Sequence, residues 1–287
     1  MPVFSFSQSS QVSKDAYKNE MEKWDQNRVK SLKSESGWLN IVGLFWLKEG
    51  ENTFGSGKEN TIIFPDGKAD EKLGTFILKD GLVSLNIISN VKVFCDNKPF
   101  SGGIIFDEKM DTTIVLSYKT LRWFIIKRGD KYGVRLRDLE SDALKNFTHI
   151  DRFPVDPKWK INAIYEAPLK EKTIPINDVI GLTTETPFGG TLLFEIEGQK
   201  FQLDATLEDN ELFIVFADET TGNETYGGGR FLYVDKPSDG NTVILDFNKA
   251  YNPPCSFTNF ATCPLPPAQN KLAISISAGE KLYLHHR

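Results

Sequence analysis

Between residues 13 and 32, Tyr17, Met21, Trp24 and Leu32 fall near one helical face, and Lys, Glu, Asp and Asn fill the others. The spacing predicts an amphipathic packing helix of about twenty residues, closed by Gly37. The run Trp38-Leu39-Asn40-Ile41-Val42-Gly43-Leu44-Phe45-Trp46-Leu47 is apolar and aromatic, broken by Gly43. It reads as a short element leading into the first sheet. After Gly50 the chain breaks into short runs bounded by Gly, Asp, Asn and Pro, the mark of an antiparallel meander. Strands are expected at 61–64, 74–78, 82–87, 91–95, 112–118, 123–127 and 132–136, with turns such as Pro65-Asp66-Gly67 and Asp80-Gly81 between them. Arg128-Gly129-Asp130-Lys131 is expected to be a hairpin turn, and its Arg-Gly-Asp triplet is read as turn chemistry.

Residues 142–162 carry Phe153-Pro154, Asp156-Pro157 and Trp159 and are read as a crossover and boundary. Beyond them strands are expected at 163–167, 178–183, 190–196, 200–205, 211–217, 230–234, 242–245 and 272–277. Phe201, Leu203 and Ala205 alternate with Gln202 and Asp204, which is sheet period and not helix period. The expected fold is mainly β, with two antiparallel β-barrel or sandwich-like halves and an N-terminal amphipathic helix. Its segments are a helical stretch at 1–36, a first β-rich half at 37–141, the crossover at 142–162, and a second β-rich half at 163–287.

Composition bounds the partners. The 34 basic and 39 acidic side chains divide into 25 and 22 before Ile161, and 9 and 17 from Ile161 onward, so the halves carry +3 and −8. An acidic second half argues against a nucleic-acid face, because phosphate binding needs clustered Lys and Arg. No apolar tract is long enough for a membrane-spanning helix. The first eighteen residues show no basic segment followed by an apolar core, so no secretory signal is read and a cytoplasmic protein is expected. Cys95 is read as a small buried hydrophobe. Cys255 and Cys263 could form a disulfide in an oxidising compartment, but the expectation here is two reduced, buried packing residues.

Two loops hold most of the candidate chemistry. The first, residues 218–230, contains Gly227-Gly228-Gly229 and lies between two strands. No helix and no Gly-Lys-Ser/Thr ending follows, so it is not a phosphate loop. Either Asp218, Tyr226 and Arg230 converge as a ligand rim, or Arg230 pairs with Asp218 or Asp246 inside a long hairpin. The second follows Leu245, where Asp246, Asn248, Tyr251 and Asn252 supply an acid, two amides and a phenol ahead of Pro253-Pro254-Cys255 and Cys263-Pro264-Leu265-Pro266-Pro267. Those side chains either bind a ligand or hold their own loop. The prolines should leave Asn252 and Asn270 fixed by backbone bonds. In the first half, Arg135 and Arg137 share one strand face and suit a carboxylate or phosphate ester, unless they are solvated or ion-paired. The histidines are His149, His285 and His286, too few beside two cysteines to support a metal site, and His149 alone has an interior sequence context.

Several of these motifs together resemble a known family. Gly37-Trp38-Leu39, Gly43-Leu44, Trp46-Leu47, the run from Tyr132 to Asp138, Thr225-Tyr226-Gly227-Gly228-Gly229-Arg230 and the C-terminal run through Cys255, Asn270 and Ala278-Gly279-Glu280-Lys281 look like the bacterial and archaeal family called domain of unknown function 1684. The resemblance runs from about Trp24 to Lys281 and implies no reaction, cofactor or catalytic residue. The functional expectation is a pocket for a small polar or anionic molecule, without a cofactor, walled by Asp218, Tyr226, Arg230, Asp246, Asn248 and Tyr251. As a hydrolase, Asp218 or Asp246 would activate water and Arg230 would stabilise developing charge. The alternative is a noncatalytic saccharide- or protein-binding module, marked by two or more of Trp38, Trp46, Trp123 and Trp159 lining an open groove.

Overall fold

The computed structural model describes residues 6–283. Helix α1 (Phe6–Lys33) opens the chain. Two compact units follow from the contacts: a middle unit of residues 33–147, and a terminal unit that joins residues 1–32 to 148–287. The helix therefore belongs with the second β-rich half and not with the strands that directly follow it.

The middle unit holds β1 (Ile41–Trp46), β2 (Gly50–Gly55), β3 (Ile62–Ile63), β4 (Gly74–Lys79), β5 (Leu82–Ile87), β6 (Val93–Cys95), β7 (Lys98–Phe100), β8 (Gly102–Phe106), β9 (Leu116–Tyr118), β10 (Leu121–Arg128) and β11 (Lys131–Asp138). They form two sheets, ordered β1-β11-β10-β9-β6-β7 and β3-β2-β4-β5-β8, antiparallel except for the short β2–β3 pair. Along β10, Leu121, Trp123 and Ile125 are buried, while the residues between them turn to the other face. Phe54 and Phe76 from one sheet meet Trp123, Val134 and Leu136 from the other in a single core, with the Phe54 and Trp123 rings 5.9 Å apart. This is a sandwich. The β4–β5 turn sets Asp80 and Gly81 both at positive φ, the geometry a two-residue hairpin needs.

The terminal unit holds β12 (Lys160–Glu166), β13 (Thr173–Asn177), β14 (Thr183–Ile196), β15 (Gln199–Glu208), β16 (Glu211–Phe216), β17 (Arg230–Val234) and β18 (Thr242–Asp246). The sheet order is β17-β16-β15-β14-β12-β18, with β13 pairing the first part of β14. Just past β18, Tyr251 exchanges both backbone bonds with Phe231 in β17, so the chain reaches back to the far end of the sheet and leaves a half-barrel. Inside lie Leu192, Leu203, Ile214, Phe216, Leu245 and Phe247. The opposite face of β16 and β17, with Phe213, Val215 and Phe231, packs against the loop carrying Cys255, Ala261 and Cys263.

The expected fold class holds: the protein is mainly β and antiparallel, with one long N-terminal helix. Two local expectations do not. Residues 178–182 form a turn between β13 and β14, because Asp178 accepts from the backbone of Ile180 and Leu182 and folds the chain back. Residues 272–277 form no strand. The division between the units, after Phe147, falls within the segment read as a crossover, with α2 (Asp142–Asn146) in the middle unit, and Trp159, 5% exposed, in the terminal core just ahead of β12. Strands β1, β2, β7, β8 and β13 were not among those expected. Among the described residues no helix is long and apolar enough to cross a membrane.

Phe54 touches three aromatic rings across the sandwich. Phe54→Ala should therefore destabilise the protein by about 3–5 kcal/mol, read in urea unfolding. A change under about 1 kcal/mol would show that this ring cluster is not the core of the middle unit.

Candidate functional site

Arg230 starts β17 and points into the terminal core, 0% exposed. Its Nη2 donates to Asp218 Oδ2 at 2.6 Å and to the Ile276 carbonyl at 3.0 Å, and its Nη1 donates to the Ala278 carbonyl. The other carboxylate oxygen of Asp218 accepts from the Thr220 backbone and hydroxyl. Burial pulls the guanidinium below its ordinary range, and Asp218 beside it pushes it back. Of the two readings of this pair, the structure shows the ion pair inside a hairpin. A carboxylate filled on both oxygens and sealed to 7% exposure has no open side for a water nucleophile. Tyr226 does not join them; it is half-buried, and burial raises its phenol.

Asp246, Asn248, Tyr251 and Asn252 lie together beneath α1. The Tyr17 phenol donates to the Asp246 carboxylate, 2.8 Å and 2.9 Å from its two oxygens, and accepts from Asn248 Nδ2 at 2.9 Å. Burial, and then the bond to Asp246, push this phenol well up, so it stays protonated and serves as a donor. Asn248 also bonds both backbone groups of Asp156. Three turns along α1, Arg28 donates from Nε to Glu280 Oε1 at 2.9 Å and from Nη2 to the Asn252 carbonyl at 2.9 Å, with its guanidinium 4.6 Å over the Tyr251 ring. Glu280 is fully buried, and its second oxygen accepts from the Asn252 backbone. Arg152 lies over Trp24 and reaches the Asn248 carbonyl. The sequence reading missed Tyr17, Arg28, Arg152 and Glu280 as parts of this network. Tyr17, Trp24 and Arg28 are spaced by seven and four, and that spacing was the available signal for one shared helix face.

An open cleft lies elsewhere in the terminal unit, between the two loops singled out in the sequence. A cleft of about 760 Å³ is bounded by Thr221 and Gly227 of the triglycine loop, the segment from Leu265 to Gln269, and Ile174, Pro175 and Asn177 on β13. Lys271 also lines it and, among the described residues, makes no ion pair. The walls are braced. Asn270 bonds both backbone groups of Asp204 and the Val215 carbonyl, as the prolines around it led one to expect. Gly229, at φ +84°, lies against Pro266, and a Cβ there would come within 2.5 Å of that ring.

Cys255 and Cys263 are joined in a disulfide, with Cα atoms 6.2 Å apart, which corrects the expectation of two reduced thiols. A turn at Pro254–Ser256 aims the Cys255 N–H at Cys263 Sγ, 3.1 Å away, and brings the side chains together. Cys95 is free and half-buried. His149 is exposed, hydrogen-bonded to Thr148 and Asp151, so the interior context expected of it is absent; His285 and His286 lie outside the described residues. In the middle unit Arg137 donates to the Gly37 carbonyl and to Asn40 Oδ1, which ties down the turn before β1. Arg135, on the same face, is buried.

Fold and site together describe a two-unit, mainly antiparallel β protein whose terminal unit is closed by side-chain-braced loops. Residues 145–281 match the family described as protein of unknown function (DUF1684), and the chain belongs to that family. The match is narrower than the resemblance read from the motifs: Gly37 to Leu47 and Tyr132 to Asp138 lie outside it. An uncharacterised protein of Haloarcula marismortui, solved in solution by NMR, is 31% identical; the similarity covers 50% of this chain and 80% of that one, at a TM-score of 0.42. The FhaA FHA domain, solved with the intracellular domain of Rv3910, is 15% identical over 33% of this chain and 97% of its own, at a TM-score of 0.23. At these scores neither likeness bears on the site. No curated protein matches the chain.

Arg28→Ala should destabilise the protein by about 3–5 kcal/mol, because it leaves Glu280 buried without its cation. Adding Glu280→Gln should recover part of that loss; a double variant as unstable as the sum of its singles would show that the two side chains are not coupled. Thiol titration of the unfolded, unreduced protein should find one free thiol, and three after reduction. Three before reduction would overturn the disulfide.

Proposed function

We propose that the terminal unit is a noncatalytic binding module for a small polar or anionic molecule, held in the cleft between the triglycine and proline-rich loops. The observation that carries this reading is Lys271, a cation without an ion pair among the described residues, set in a cleft whose other polar side chains are the uncharged Asn177, Thr221 and Gln269. A cleft with one unmatched positive charge and small polar donors favours a ligand with an anionic end. Pro175, Pro266 and Pro267 stiffen its walls, so little ordering is required on binding.

The hydrolase reading receives no comparable support. None of the side chains lining the cleft is a carboxylate, an imidazole or a thiol, the groups a hydrolase most often draws on to activate water or attack the substrate. Asp218 and Arg230 are committed to each other, and Asp246 to Tyr17 and Asn248. Of the four tryptophans that would mark a saccharide groove, Trp123 and Trp159 are core residues.

A thermal-shift screen of small carboxylates, phosphate esters and neutral polyols tests the proposal. A ligand at a hundred times its Kd should stabilise the protein by about 2.7 kcal/mol. For an anionic hit, Lys271→Ala should weaken binding by about fivefold, the worth of an exposed charge pair near 1 kcal/mol. Ala268→Trp, which fills the cleft from an exposed position, should abolish binding. Hits that ignore both substitutions would place the ligand elsewhere.

A further inference from the structure

The outer face of the middle unit carries an arginine that the fold leaves unmatched. Arg135 on β11 stands opposite Phe124 on β10 and Leu44 on β1, neither of which offers its side chain an acceptor. The residue is 8% exposed. Among the described residues its guanidinium makes no hydrogen bond and no ion pair, and its Nε is sealed from solvent without a partner. A guanidinium offers five donors, and buried polar groups are ordinarily satisfied. Burial, and then the like charges of Arg128 and Arg137, pull it down to about 10, with no carboxylate offsetting them. Arg137 differs in having the Gly37 carbonyl and Asn40 to bond.

Such an arrangement is electrostatically incomplete. Of its three nitrogens only Nε is both sealed and unpartnered, so the two terminal nitrogens, which also lack a hydrogen-bond partner among the described residues, retain some contact with solvent. We propose that Arg135 is the recognition residue of an oxyanion site on the middle unit, which takes the phosphate or carboxylate group of a small molecule. Two parallel N–H donors match two oxygens of such a group, and the low-polarity surroundings strengthen the contact. Arg128 and Arg137 add positive potential without being asked for further bonds.

The test uses the full chain, titrated with inorganic phosphate and separately with acetate, at an ionic strength held constant with chloride. The melting temperature should rise saturably with one of the two anions and not with chloride, and the anion that acts identifies the group recognised. Arg135→Met should weaken that anion at least tenfold while the unliganded variant melts at or above the wild-type temperature, since an apolar isostere removes an uncompensated buried charge. Should that variant fail to fold, Arg135→Lys decides: it keeps the charge but loses the planar fork, and an unchanged affinity overturns the proposal. So does the absence of any saturable response. Lys271→Ala should leave the response intact, and its loss there would assign the anion to the terminal cleft instead.

Discussion

The terminal unit depends on side chains that satisfy backbone which no sheet reaches. From Phe247 onward the described chain forms only single turns and isolated bridges, yet much of it is buried. Buried carbonyl and amide groups need partners, and without a ladder those partners must come from elsewhere. Arg230 supplies them to Ile276 and Ala278, Asn270 to Asp204 and Val215, Asn252 to Lys281, and Glu280 to Asn252. Each of these side chains is almost fully buried, and each would be left costly and unsatisfied if the loop moved. The irregular segment is thus held as firmly as a strand, but by long polar side chains.

Helix α1 extends the same principle. It is too polar to be anchored by an apolar stripe alone, although Met21 and Leu32 are buried. Tyr17 and Arg28 instead reach two buried carboxylates of the C-terminal chain, Asp246 and Glu280. Replacing one partner of such a pair strands the other in a medium of low polarity, so helix and loop stabilise each other. A helix at one end of the sequence and an irregular loop at the other become one cooperative element.

Much of the fold was legible because its signals were local. Alternation marked β15, turn chemistry marked the hairpins at Asp80-Gly81 and Gly129-Asp130, and the 3.6-residue period marked α1. What was lost depended on distant partners. Strand β13 contains Pro175 and exposed polar residues, and is a strand because β14 pairs with it along its whole length. Residues 272–277 carry strand-like alternation but meet Arg230, Asp218 and Glu219 instead of a neighbouring ladder. The candidate residues show the same division. Asp218, Arg230, Asp246 and Asn248 were picked out by type and spacing, but which of them faced solvent rested on Tyr17 and Ala278, far away in sequence.

What separates the arginines is satisfaction and not burial. Arg230 is the more deeply buried, yet it has a carboxylate and two carbonyls, so nothing about it calls for a further ligand. Arg28 has a carboxylate, a carbonyl and an aromatic face. Arg137 is held by a carbonyl and an amide. Arg135 has none of these, and its nearest charges repel it. Among the described residues Arg230, Arg28 and Arg137 each have acceptors, and the one guanidinium of this set left without any is not explained by packing, because Leu or Met would fill the same position between Phe124 and Leu44 without desolvating a charge. What an arginine supplies there and a leucine cannot is a planar set of donors directed outward.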